Sequence, residues 1–360
     1  MSRITYKHAL ITGGAGFVGS NLAVWLKTHY PQLRITAADN LKRRGSELNL
    51  PRLRENGLEF VHCDIRNPED LTLFGNDIDL IIECSAEPSV VSGYSDGPNY
   101  LINTNLLGTV NCLELARRNQ SDFIFLSSSR VYPVEPLNQI ATIEGDSRFL
   151  IAPRQTITGI SEHGVSEKFP LEGVRSLYGA TKLCSELLIQ EYGAMYNLRY
   201  IINRCGVLTG PWQMGKVDQG VFALWMAKHY FGGELSYIGW GGQGKQVRDL
   251  LHIDDLAALL NRQMQQIELL SGKIFNVGGG LANSLSLSET TRLCEEITGH
   301  KIPIAQVPKN RPDDLKVYIT DNAYVTQMTG WTPTYSPSET LTSIFEWLNS
   351  SAVRVSYLWR

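Results

Sequence analysis

Short apolar runs alternate with amphipathic stretches along the first half of the chain. Lys7–Thr12 (KHALIT) predicts a short buried strand, and GGAGFVGSNLAVWL then passes from a tight turn into a helix. In that helix Phe17, Val18, Leu22, Trp25 and Leu26 recur at helical spacing. Further strands are predicted at Arg34–Ala38, ending in Asp39, at Glu59–Cys63, ending in Asp64, and at Leu80–Glu83. A helix from about Tyr100 to Arg118 leads to a strand at Phe123–Leu126, and Ile274–Val277 reads as a late strand. Strands separated by helices in this rhythm give an α/β fold whose parallel sheet is doubly wound, with helices on both faces.

The turn after the first strand carries Gly13, Gly16 and Gly19. Glycines there let the backbone approach a pyrophosphate lying on the positive end of the helix, the Rossmann arrangement. Asp39, about twenty residues beyond Gly19, stands where a carboxylate accepts hydrogen bonds from a ribose hydroxyl. A carboxylate there repels a 2'-phosphate, which favours NAD over NADP. Arg43 and Arg44 follow closely and could instead serve NADP, or be plain loop charges. Asp64 and Ile65 fall at a strand's C-terminal edge, where ligands bind in such sheets, and are candidates for the adenine end.

Tyr178 and Lys182, in SLYGATKLCSELL, are four residues apart and so share a helix face. An ammonium near the phenol favours the phenolate; lowering a tyrosine by ~3 pKa units toward neutrality takes about 4 kcal/mol. With Ser128 following a strand at the same sheet edge, the three describe a site for moving a hydride between an alcohol carbon and a nicotinamide. For the Tyr–Lys pair alone, an ordinary amphipathic helix is an equal reading. The glycine turn tips the balance.

The composition excludes several classes. At 360 residues, 43% hydrophobic and 19% charged, with a formal charge of −3 and no basic stripe, the chain is globular and not a nucleic-acid binder. No stretch approaches the ~20 apolar residues of a membrane span. Met1 to His8 is too short and polar for a signal peptide, and the six cysteines form no CxxC pair. These features predict a cytoplasmic protein with reduced thiols and no zinc site. His252, Asp254 and Asp255 superficially suggest a metal cluster, but the segment reads as a loop entering a helix, with Asp254 or Asp255 as its cap. No metal is expected.

An ordered set of matches runs through nearly the whole chain: GGAGFVG, DNL at 39–41, NLLGT at 105–109, SSSRVY at 127–132, YGATK, VRDLLHIDDL at 247–256, FNVGGG at 275–280 and RPDD at 311–314. Together they resemble the extended short-chain dehydrogenase/reductase family, and within it the nucleotide-sugar epimerases. The resemblance implies a Rossmann sheet joined to a smaller C-terminal substrate domain. Residues 1–204 would form the NAD-binding part, with 249–278 returning to it, and 205–360 mainly the nucleotide-sugar-binding part. It implies tightly bound NAD held by Gly13, Gly16, Phe17, Val18, Gly19, Asp39, Asn40, Asp64, Ile65 and Asn105, together with Tyr178 and Lys182. Ser128, Tyr178 and Lys182 would be catalytic. Arg248 and Arg311 would hold the substrate pyrophosphate, and Gln213, Lys216 and Gln219 the sugar or base. A homodimer or homotetramer is expected.

Within the family, NRCGVLTGPWQMGKVDQG followed by GWGGQGKQVRD looks most like the enzymes that invert C2 of a CDP-hexose. UDP-sugar 4-epimerases and NAD(P)H-dependent reductases are the rival enzymes, and a non-catalytic dinucleotide sensor is the rival outside catalysis. Three departures stand out. Ser129 and Arg130 occupy the places where dehydrating relatives carry Asp-Glu, so the acid and base for eliminating water are missing. The usual Arg-Tyr-Phe-Asn run appears as Arg204, Cys205, Gly206, Val207, and the usual His after the fourth strand is Glu83. Between Tyr132 and Tyr178 the connection is long; QIATIEGDSRFLIA within it predicts a hairpin around Gly145-Asp146. That insertion reads equally as a lid beside the tyrosine or as an oligomer contact.

Overall fold

The computed structural model describes residues 4–94, 97–215 and 219–359. The predicted apolar runs become seven parallel strands: β1 (His8–Thr12), β2 (Arg34–Asp39), β3 (Glu59–His62), β4 (Leu80–Glu83), β5 (Asp122–Ser128), β6 (Tyr200–Cys205) and β7 (Lys273–Val277). Their order is β7-β6-β5-β4-β1-β2-β3. β1, β4 and β5 are buried along their whole length, whereas the edge strand β3 is partly exposed. Continuous burial of that kind requires cover on both faces of a parallel sheet.

The cover follows the two-residue period of the strands. Ala9, Ile11, Leu80 and Ile82 face one core with Leu22 and Leu26 of α1 (Phe17–His29). Leu10, Ile81, Phe123 and Phe125 face the other, with Cys112 and Leu113 of α2 (Gly108–Asn119) and Ile189 of α3 (Leu177–Tyr196). The predicted helix from Tyr100 to Arg118 is present but not uniform. It starts at Asn99, and one π-helical turn at Asn103–Leu107 precedes α2.

After β6 the chain leaves the sheet. Val207–Thr209, Val247–His252, Ser284–Ser286 and Val317–Tyr318 form a smaller sheet. Beside it α4 (Val221–Phe231) and two later helices, Leu287–Thr298 and Pro337–Val355, bury Phe222, Trp225, Leu341 and Trp347. Ile253–Gln265 returns to pack Leu256, Leu259 and Leu260 on the α1 side, and β7 joins the sheet edge beside β6. Val325 and Trp331 belong to the same core, so cover for the sheet also comes from well past residue 278.

Two local expectations turn out differently. Neither Asp254 nor Asp255 caps Ile253–Gln265. The cap is His252, whose Nδ1 accepts from the Asp254 amide at 3.1 Å, while Asp255 accepts from Thr334 and Tyr335. The predicted hairpin does form, Thr142–Glu144 against Phe149–Ile151, with Gly145 N donating to Arg148 O at 2.9 Å. It packs on the smaller sheet with Tyr318 and Val317.

Candidate active site

The C-terminal ends of the sheet strands open onto a cavity of about 620 Å³. The glycine turn forms one wall. Gly13 has φ +63°, and a Cβ on Gly19 would lie 2.3 Å from Gly13 O, so the turn closes on itself only without side chains. No side chain caps the start of α1 at Gly16, which leaves the first-turn amides of Phe17 and Val18 available at the cavity. Asp39 faces the same turn, with Oδ2 accepting from Ala15 N at 3.1 Å and Oδ1 from Leu41 N at 2.7 Å. Burial pushes the Asp39 carboxyl up, and these backbone amides draw it back. Asn40 and Ile65 also line the cavity.

Three residues expected at the cofactor stand behind this wall. Gly19 is packed on Gly13. Asp64 accepts from Asn40 at 3.1 Å and from Arg66, whose guanidinium holds its carboxyl down at about 2. Asn105, fully buried in the π-helical turn, holds the backbone of Glu87 from both sides, accepting from Glu87 N at 2.8 Å and donating to Glu87 O at 3.1 Å.

Ser128 ends β5, and Tyr178 and Lys182 project from the first turns of α3 into the same cavity. The helix starts there because Ser176 caps it, its side chain accepting from Gly179 N at 3.2 Å. Burial raises the Tyr178 phenol; a hydrogen bond with Ser128 and the charge of Arg130 lower it, while Cys205 and Glu87 raise it further. Lys182 is buried, its Nζ donating to Leu126 O at 2.9 Å and lying 4.4 Å from the Phe125 ring centroid. Burial lowers the Lys182 amine, and Glu83 chiefly supports its charge. Burial at the end of β4 pushes the Glu83 carboxyl up to about 7, against the pull of Lys182 and a 2.7 Å hydrogen bond from Thr109.

A second cavity of about 230 Å³ adjoins the first and shares Arg130, Gln219 and Val207 with it. Arg248 and Arg311 line it with Asp313 and Asp314, and Phe222 and Trp225 supply apolar surface. Arg248 donates to Leu315 O at 2.6 Å and to Asp314 at 3.3 Å. Gln213 and Gln219 line the larger cavity, but Gln213 is committed to Leu208 O and Thr209, and Gln219 accepts from Arg43. Lys216 lies outside the described residues. Arg204 forms a buried ion pair with Glu186 at 2.7 Å, anchoring α3 to β6. No described residue between Val131 and Leu177 lines either cavity.

Arg130, Glu87 and the 85–90 loop at the cavity were not singled out from the sequence as site residues. The loop was within reach of the strand-edge argument, because it follows β4 at the same edge as Asp64 and Ser128.

Residues 9–278 match the NAD dependent epimerase/dehydratase family. The chain belongs to that family. CDP-paratose 2-epimerase of Salmonella typhi is 29% identical over 348 residues, covering 95% of this chain and 99% of that protein. UDP-glucose 4-epimerase of Corynebacterium glutamicum is 25% identical over 341 residues, 92% of each chain. Among solved structures, UDP-glucuronic acid 4-epimerase from Bacillus cereus, in complex with UDP-glucuronic acid and NAD, gives a TM-score of 0.79 at 24% identity, covering 95% of this chain and 99% of that one. UDP-glucose 4-epimerase of Thermotoga maritima gives 0.77 at 24%, covering 96% and 99%. These likenesses show the fold. The cofactor of the epimerase/dehydratase family, NAD, fits the residues present: a side-chain-free turn against an uncapped helix start, and a half-buried carboxylate held at the end of β2.

Proposed function

We propose that this protein inverts C2 of a CDP-hexose, as an enzyme of the CDP-paratose 2-epimerase type. The observation that carries the proposal is the end-to-end match to that enzyme, which exceeds the match to the UDP-glucose 4-epimerase. In the proposed reaction Tyr178 takes the proton of the sugar hydroxyl, and Ser128 hydrogen-bonds the same oxygen. Lys182 holds the nicotinamide-side ribose. Reversible hydride acceptance is the chemistry supplied by bound NAD. The flat keto-sugar turns within the cavity, and Tyr178 returns the proton once the opposite face is presented. Ser129 and Arg130 offer no carboxyl pair for elimination, which favours epimerisation over dehydration.

The glycine turn, Phe17 and Val18 are assigned to the cofactor pyrophosphate, and Asp39 to the adenosine ribose. Asn40, Ile65 and, from behind, Asp64 and Asn105 shape the adenine and nicotinamide ends. Arg248 and Arg311 are assigned to the nucleotide-sugar pyrophosphate, with Gln213, Lys216 and Gln219 toward the sugar or base. Residues 1–204 with 249–278 would act as the cofactor domain and the remainder mainly as the substrate domain. Pairing of subunits in a cytoplasmic homodimer or homotetramer is consistent with Leu187, Met195 and Tyr196, exposed on α3.

The test is proton NMR of the purified protein, without added cofactor, against CDP-paratose, CDP-glucose, UDP-glucose and UDP-glucuronate. Inversion at C2 of a CDP-sugar supports the proposal. Inversion at C4 of a UDP-sugar overturns the substrate, and turnover only on adding NAD(P)H overturns the reaction class. Tyr178→Phe is expected to slow inversion by about 10³-fold; unchanged turnover would remove Tyr178 from the mechanism.

A further inference from the structure

Three successive carbonyls beside the smaller cavity are each held by a different part of the chain. Arg130, in the turn after β5, donates to Asp313 O at 2.8 Å. Asn138, at the end of the short helix Val134–Asn138 in the insertion, donates to Asp314 O at 2.9 Å. Arg248, on the smaller sheet, donates to Leu315 O at 2.6 Å. Asn138 also accepts from Lys316 N at 3.0 Å, so one side-chain amide grips the backbone on both sides of Leu315. We propose that Asn138 is a positioning residue: through it the insertion braces the 311–316 segment and so raises the affinity of the smaller cavity for a nucleoside diphosphate.

The inference rests on the smaller cavity being the site of the nucleotide-sugar pyrophosphate. Arg311, Pro312, Asp313 and Asp314 line that cavity with Arg130 and Arg248, whereas Asn138 lines neither cavity. The insertion thus reaches the site through the backbone it holds. That backbone needs holding. Asp313 has φ +55°, a left-handed conformation that is unfavourable for an L residue and persists where its surroundings fix it. An anion entering the cavity competes with the carbonyls for the two guanidinium groups. The Asn138 amide stands outside the cavity and is not drawn away, so the segment keeps its shape whether the cavity is empty or filled. A site already in shape has less to order on binding. Leu137 and Ile140, on either side of Asn138, lie in one buried cluster with Leu315 and Val317, which fixes the register of the grip.

Asn138 is half-buried, and leucine has nearly its shape without either polar atom, so Asn138→Leu removes both hydrogen bonds. Calorimetry titrates CDP, and UDP alongside, into the NAD-loaded protein. Asn138→Leu is expected to bind the diphosphate about tenfold more weakly than the parent while retaining its NAD. Hydrogen exchange at the Lys316 amide is expected to quicken in the same variant. Asn138→Asp keeps an acceptor for that amide but loses the donor to Asp314 O; it is expected to fall between parent and leucine variant, and it carries the test if the leucine variant does not fold. Arg148→Met, which loosens the hairpin without touching the 311–316 segment, is expected to bind the diphosphate as the parent does. The proposal is overturned if either Asn138 variant binds as tightly as the parent, or if Arg148→Met weakens binding as much as they do. A parent that binds neither diphosphate would remove the reading of the smaller cavity, and the brace with it. Failure of the C2-epimerase assignment appears separately, in the sugar panel.

Discussion

Asp39 braces the turn beside it with one carboxylate. Its oxygens take the amides of Ala15 and Leu41, so the residue that ends β2 also fixes the glycine turn it faces. Replacing it with alanine removes the proposed ribose acceptor and frees those amides. Asp39→Ala is expected to weaken NAD binding by about 10- to 100-fold, the cost of losing hydrogen bonds to a charged group. Calorimetry on NAD-stripped protein would read it; binding equal to the parent would place the ribose elsewhere. Asp39 was legible because its chemistry depends on its position along one βα unit. Arg130 was visible only as a departure from Asp-Glu. Its place at the cavity depends on how the β5 turn packs against α3, contacts that no local spacing encodes.

Among the elements, the inserted hairpin Thr142–Glu144/Phe149–Ile151 was predicted from its turn residues, but its docking site was not. Arg148 donates to both oxygens of Glu289 and to Ser284 O at 2.7 Å. Glu289 is also the capping-box residue of Leu287–Thr298. Burial raises the Glu289 carboxyl, yet the bonds from Arg148, Ser147 and Ser286 outweigh it and hold it at about 2. A carboxyl lowered on folding contributes stability above its ordinary value of 4.5 and loses it as pH falls toward about 2. Hydrogen-exchange protection of the hairpin amides is therefore expected to fall across that window. In Arg148→Met it should be weak already at neutral pH, with little further change on acidification. Protection as strong as the parent's would show that the docking rests on apolar contacts alone. The π-helical turn at Asn103–Leu107 and the His252 cap escaped the sequence for a related reason. Each answers a partner remote from the periodic pattern, Glu87 in one case and the stacked Tyr335 in the other.

At the scale of the whole molecule, the cavity proposed for the cofactor joins segments that lie far apart in the chain. The larger cavity takes walls from β2 and β5, from the turns that follow β1, β3 and β4, from α3, and from residues 205–208, 213–214 and 219–220. A ligand bridging so many segments binds the folded state alone. NAD at about 100 times its Kd is expected to stabilise the protein by ~2.7 kcal/mol, read as a rise in Tm when stripped protein is reloaded. No change in Tm with NAD would contradict the cavity as its site.

The sheet, its glycine turn, Asp39 and the Ser128–Tyr178–Lys182 set were determined by the sequence itself, because each depends on a period or spacing within one or two neighbouring elements. Tertiary structure alone decided what Lys182 and Glu83 do for each other, and that the insertion lies against the smaller sheet rather than over the cavity. Those outcomes depend on distances between side chains remote in sequence, on burial that shifts their charge, and on packing that leaves room for one neighbour and not another.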